Sequence, residues 1–98
     1  MQFLILAYDA TDTDALARRM AAREAHLALV DINQAAGHAK FGAAILDGGG
    51  KMIGSMMVVE YENRAALDAW LAEEPYITQK VWDKITIQTC KVAPSFAK

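Results

Sequence analysis

Two short segments carry the side chains best suited to chemistry. Arg23-Glu24-Ala25-His26-Leu27 sets a histidine inside a run otherwise made of Ala, Leu and Val. Glu73-Glu74-Pro75-Tyr76, far along the chain, breaks a helix at a carboxylate. An imidazole exchanges protons near neutral pH because its ordinary pKa is about 6.5. A carboxylate on one ring nitrogen fixes the tautomer and makes the other nitrogen a better base, and Asp9 and Glu74 are the two candidates for that role. Arg23 stands one helical turn before His26, so both side chains can face one way. Its guanidinium could clamp a carboxylate, phenolate or enolate oxygen through paired hydrogen bonds. Ser55 could donate to the same ligand, and Tyr76 could donate or stack.

Each of these residues has a plainer reading. A helix histidine in a small domain is more often packed or solvated than catalytic. Arg23 would then be a solvated helix residue, Asp9 a cap or turn residue, and Ser55 part of a strand. Trp70 and Trp82 read as core aromatics. Met56 and Met57 face opposite sides of one strand, so at least one belongs to the core. His38, next to Gly37, reads as a cap on a helix C-terminus.

The elements that must position these groups follow from local pattern. Residues 3–8 form an apolar run stopped at Asp9, which fits a central strand. Asp12 or Thr13 can cap the helical stretch 14–36. That stretch has Leu16, Met20, Leu27, Val30 and Ile32 as its apolar positions and loses phase near residues 21–23, so two helices are expected, the second closed by Gly37. Residues 38–46 and 52–61 read as strands around the glycine turn 47–51. Asn63 caps a helix over 64–73 that Pro75 ends, with one further turn before residue 81. Residues 82–92 alternate with period two, as a strand does.

The order β-α-β-β-α-β is that of a ferredoxin-like α+β fold. It places the first strand beside the third and fourth in an antiparallel four-stranded sheet, with both helices on one face. Asp9, Arg23 with His26, Gly54 with Ser55, and Glu74 with Tyr76 then converge at one end, around a pocket between helices and sheet. The other sheet face is left bare and apolar, and a second copy of the chain could cover it.

Composition agrees. Hydrophobic residues make up 54% of the 98 residues, high for so small a body, which points to a buried self-interface in a homodimer of one-domain subunits. The net charge is −2 and no basic stripe exists, which argues against nucleic acid. Cys90 is the one cysteine, so no internal disulfide can form. The apolar start is too short for a signal peptide or membrane span, and a soluble cytoplasmic protein is expected. His26 and the carboxylates lack a second well-placed histidine for a metal, and haem would find no axial arrangement beyond His26, so neither metal nor cofactor is expected.

Taken together, Ala7-Tyr8-Asp9, Arg23-Glu24-Ala25-His26-Leu27, Gly54-Ser55 before Val58-Val59-Glu60-Tyr61-Glu62, the helix from Ala66 to Trp70, and Glu74-Pro75-Tyr76 before Val81-Trp82 resemble the YciI-like family over nearly the whole chain. The resemblance implies a dimeric α+β barrel whose cleft holds a histidine with an acidic partner. The family's Arg-x-x-His histidine corresponds to His26. Its Asp-Pro-Tyr motif stands here as Glu74-Pro75-Tyr76, one methylene longer, and the Gly-Pro stretch of many members is replaced by Asp47-Gly48-Gly49-Gly50. Members with an assigned reaction, a dehydrochlorinase among them, imply proton transfer on a small aromatic or enolic acid, and muconolactone isomerase, a related barrel, points the same way. The expectation is a cofactor-free lyase or isomerase in which His26 moves a proton, Asp9 or Glu74 orients it, and Arg23, Ser55 and Tyr76 bind the substrate. The rivals are a metabolite-binding module using the same cleft and a structural dimer module with no pocket.

Overall fold

The computed structural model describes residues 1–97. Strand β1 (Gln2–Asp9) leads into helix α1 (Ala15–Ala35), strands β2 (Ala39–Leu46) and β3 (Met52–Glu60), helices α2 (Arg64–Leu71) and α3 (Pro75–Thr78), and strand β4 (Trp82–Cys90). A 3-10 turn, Pro94–Phe96, follows. The strands pair in the order β2-β3-β1-β4, every pair antiparallel. This is the ferredoxin-like α+β arrangement, with the helices on one face.

Alternation along β1 divides its side chains between two environments. Phe3, Ile5, Ala7 and Asp9 are buried under the helices, while Leu4, Leu6 and Tyr8 stay at least partly open on the other face. Register carries the division across the sheet: Phe3 lies opposite Val59, Ile5 opposite Met57, and Ala7 opposite Ser55. Leu67, Trp70 and Leu71 of α2 close over this face with Tyr76 and Val81. Each large apolar side chain so buried contributes about 1.5–3 kcal/mol. The opposite face presents Leu4, Leu6, Met56, Val58 and the exposed ring of Phe41, which meets Phe96 edge-on.

Helix α1 departs from the sequence pattern. It runs unbroken through residues 21–23, and its buried positions are Ala15, Arg19, Ala22, His26 and Asn33. Met20 and Ile32, read as apolar anchors, are 50% and 65% exposed, and Leu27 is 40% exposed. The pattern loses phase because Arg19, His26 and Asn33 share the inward face with small alanines, where large apolar side chains would be expected. The helix start also differs. Neither Asp12 nor Thr13 caps it with a side chain; Asp14 holds the N-cap position, and Asp12 instead receives two 2.7 Å bonds from Arg18. The C-terminus closes as expected, with Gly37 at φ +83°, where a side chain would be strained. The His38 ring does not cap α1. It bonds the Glu60 carbonyl through Nδ1 and stacks on Tyr61.

Asn63 Oδ1 accepts the Ala66 N–H at 2.9 Å and starts α2, which ends at Leu71, short of Glu73. Among the described residues no helix is long and apolar enough to cross a membrane.

Candidate functional site

Proline builds the first half of the site. Pro75 has no N–H and restricts the residue before it to extended backbone, so the turn after α2 cannot continue. Glu74 is accordingly extended (φ −65°, ψ 121°) and caps α3, with Pro75 in its first turn. Its Oε1 accepts the Tyr76 N–H at 3.1 Å and also the Nδ1–H of His26. Glu74 is 0% exposed and His26 8%. A carboxylate only accepts, so the His26 proton sits on Nδ1 and Nε2 is the nitrogen left for a bound molecule. The ring is held on two sides: Tyr76 stacks on it and Trp82 meets it edge-on at 6.2 Å.

Asp9 does not reach His26. Of the two candidate carboxylates, Glu74 is the partner, and Asp9 binds Arg19 Nη1 at 2.9 and 3.0 Å. A shift in register between Tyr8 and Asp9 brings Asp9 opposite Trp82. The Arg19 Nη2 group donates to Ser55 Oγ at 2.9 Å, and Trp82 Nε1 donates to the same oxygen at 3.1 Å. Ser55 thus accepts twice, which leaves its own O–H to donate. Burial pushes the Asp9 carboxyl up, against the pull of Arg19. The Arg19 guanidinium also lies over the Tyr76 ring, 4.7 Å from its centroid. Burial raises the Tyr76 phenol, with Arg19 and Arg23 opposing.

Arg19 is the site residue that sequence reasoning missed. By type it belongs with the polar positions of the helix, yet it is 2% exposed. The available signal was spacing: residues 19, 26 and 33 recur two turns apart and share one face. Arg23 is exposed, lies one turn from His26 and lines the cleft beside it.

The cleft is about 400 Å³ and lies between α1 and the β2–β3 half of the sheet. Arg19, Arg23, His26, Ser55 and Tyr76 form its polar wall, and Leu27, Val30 and Met57 its apolar wall. Gly42 and Ala44 on the helix-facing side of β2 leave the room. Lys40 adds a further cation, and among the described residues no carboxylate lines the space. Among the described residues no group of three His, Cys, Asp or Glu is placed to hold a metal. The arrangement offers a base with an oriented tautomer, a hydroxyl donor and cations around one small cavity. That is the equipment for moving a proton on an anionic molecule.

The family model described as "YCII-related domain" matches residues 1–91. No curated protein matches the chain. Among solved structures, the chain is similar to 5-chloro-2-hydroxyhydroquinone dehydrochlorinase (TftG) from Burkholderia phenoliruptrix AC1100, in complex with 2,5-dihydroxybenzoquinone. The identity is 22% over 97% of this chain and 98% of that one, with a TM-score of 0.83. It is also similar to Rv0793 from Mycobacterium tuberculosis (16% identity, 96% and 99% covered, TM-score 0.57). A third similar structure is an antibiotic biosynthesis monooxygenase (17% identity, 96% and 100% covered, TM-score 0.54). These likenesses bear on the fold.

Proposed function

Because the chain belongs to the YCII-related family, we propose that it is a small cofactor-free enzyme of the lyase or isomerase kind. On this reading it moves a proton on a small aromatic or enolic acid. The observation that carries the reading is the His26–Glu74 pair at the wall of the cleft, with Nε2 free of protein partners among the described residues. His26 Nε2 takes a proton from a carbon or hydroxyl of the substrate, and the imidazolium that forms is stabilised by the Glu74 carboxylate. The negative charge that develops on substrate oxygen is received by the Ser55 hydroxyl and Arg23. Loss of a leaving group then gives a lyase; return of the proton at another carbon gives an isomerase. Asp9 acts at one remove, by holding Arg19 and through it Ser55. The lining supports an anionic substrate, since Arg23 and Lys40 line the cavity without a carboxylate beside them among the described residues, whereas Arg19 is already paired with Asp9. The dehydrochlorinase with a bound dihydroxybenzoquinone supports the size and aromatic character of the molecule.

The test is a screen of small aromatic and enolic acids, including hydroxylated and chlorinated rings, against the native chain and Glu74→Gln. Turnover that falls about 10²–10⁴-fold in the variant supports the reading. Turnover equal in both would remove the pair from the chemistry. Saturable binding with no turnover would favour a metabolite-binding module in the same cleft. A module with no pocket fits poorly, because a cleft of about 400 Å³ stands beside the buried His26; of Asp9, Arg23 and His26, which such a module would expose, Arg23 alone is exposed.

The apolar sheet face formed by Leu4, Leu6, Met56 and Val58 supports assembly as a homodimer through that face. Sedimentation of Val58→Glu checks this: a dimer in the native chain and a monomer in the variant are expected, and an unchanged dimer would place the interface elsewhere.

A further inference from the structure

Behind the His26–Glu74 pair lies a second set of polar atoms that the proposed reaction does not use. Glu74 Oε1 is occupied twice, but Oε2 is buried with no partner among the described residues, and the same holds for the two atoms that follow. Tyr61 OH and Trp70 Nε1 are buried and unpartnered too. All three residues are more than nine-tenths buried, with Glu74 at 0%, Trp70 at 6% and Tyr61 at 9% exposed. Ring stacking and short backbone turns link the three residues. The Tyr61 and Trp70 rings stack with centroids 6.0 Å apart. Trp70 and Glu74 are joined by consecutive turns, in which Glu73 N–H bonds the Trp70 carbonyl and Glu74 N–H the Leu71 carbonyl. Burial, and then the charge of Glu74, push the Tyr61 phenol up to about 12.

An acceptor and two donors, all cut off from bulk water and without a partner among the described residues, each call for one. None bonds another directly. A carboxylate oxygen accepts, an indole N–H donates, and a phenol does both. One water molecule complements this set: it gives a proton to Oε2 and accepts from Tyr61 or Trp70, within the usual two to four bonds of buried solvent.

We propose that Glu74 Oε2, Tyr61 OH and Trp70 Nε1 hold buried solvent, and that Tyr61 is thereby a positioning residue for Glu74 and His26. Donation to Oε2 draws charge away from Oε1. It sets how strongly Oε1 holds the Nδ1 proton of His26. The proposal stands on the His26–Glu74 pairing and needs no substrate, so it can fail or hold whatever the outcome of the turnover screen.

Tyr61→Phe removes the hydroxyl and keeps the ring stacked against His38 and Trp70. Two readouts decide the matter: thermal unfolding, and the ¹H and ¹⁵N resonances of the His26 ring. A bridged hydroxyl predicts a lower Tm in the variant. It also predicts that the Nδ1 proton resonance moves downfield, because Oε1 regains charge. A Tm equal to or above native would mean that the hydroxyl was truly orphaned and would overturn the proposal. A lower Tm with His26 resonances unmoved would overturn the positioning role. Trp70→Phe provides a second variant at the other donor, with the same downfield shift expected and unmoved resonances counting against it. A high-resolution crystal structure of the native chain gives the direct view: solvent within hydrogen-bond distance of Oε2 supports the bridge, and direct packing of carbon against Oε2 refutes it.

Discussion

The rings of His26 and Tyr76 lie face to face, centroids 3.9 Å apart and 13° from parallel. Both residues also bind Glu74 Oε1, His26 through Nδ1 and Tyr76 through its backbone N–H. The stack fixes the plane of the imidazole and the shared oxygen fixes its rotation, so Nε2 has one direction left. Stacked aromatic pairs contribute about 0.5–1.5 kcal/mol beyond area burial. Tyr76→Phe should retain most of that stability and Tyr76→Leu should lose it. Chemical denaturation measures the difference, and a Leu variant as stable as Phe would show that the stack carries no weight.

Glu74 has no exposure, so its partners matter to folding as well as to the proposed chemistry. His26→Ala leaves a buried carboxylate without its ring partner, and a loss of about 3–5 kcal/mol is expected. Glu74→Gln removes the charge while keeping an oxygen for Tyr76 N–H, so it should lose activity with much less stability. Unfolding midpoints of the two variants check the order. A reversed order would mean that the pair is held by something other than its charge.

Asp9 and Arg19 form the buried ion pair, with side chains 6% and 3% exposed. Removing one partner strands the other in the interior. Asp9→Ala should cost about 3–5 kcal/mol, and Asp9→Ala with Arg19→Met should recover part of it, because the double variant buries no lone charge. A double variant no more stable than Asp9→Ala would argue against stranded charge as the cause. Ser55 also loses its Arg19 bond in the double variant, so ligand affinity should stay low even where stability returns.

Gly54 lies opposite Tyr8 in the β1–β3 pair, with no room for a side chain. A Cβ there would meet the Ala7 carbonyl oxygen at 2.5 Å and the Ile45 side chain at 3.2 Å. The first contact is backbone and cannot turn aside. Gly54→Ala should therefore open the pairing beside Ser55 and cost about 1–3 kcal/mol. Amide exchange at Tyr8 and Ser55 should speed up in the variant; unchanged exchange there would show that the strands absorb the methyl.

Stability should fall in alkali across a defined window. In the unfolded chain the Tyr61 phenol loses its proton near 10.0; in the folded chain burial, and then the charge of Glu74, delay that loss to about 12. Between these values the native state keeps a proton that the unfolded state has released. The unfolded state therefore gains as pH rises: the contribution is intact below pH 10 and lost progressively toward pH 12. The raised phenol of Tyr76 acts with the same sign. Denaturation midpoints between pH 9 and 12 test this, and Tyr61→Phe should flatten the decline. An equally steep decline in that variant would assign the effect to other groups.

Much of the fold is legible in the residues themselves. The apolar run before Asp9, the glycine turn, Asn63, Gly37 and Pro75 mark the elements, because caps, turns and strand alternation are local physics. Their order then leaves little freedom in topology. The convergence of His26, Glu74 and Tyr76 at one end of the sheet follows from that order and could be anticipated. Three features are not set by that order. Helix α1 puts Arg19, His26 and Asn33 inward and leaves Met20 and Ile32 outside, against the hydrophobic pattern, because a helix over a polar cleft turns its binding groups inward. The pairing of Glu74 rather than Asp9 with His26 depends on reach and on the oxygen already fixed by Tyr76 N–H. The Asp9–Arg19–Ser55–Trp82 network joins β1, α1, β3 and β4. Those contacts are distances between elements remote in sequence, and only packing sets them.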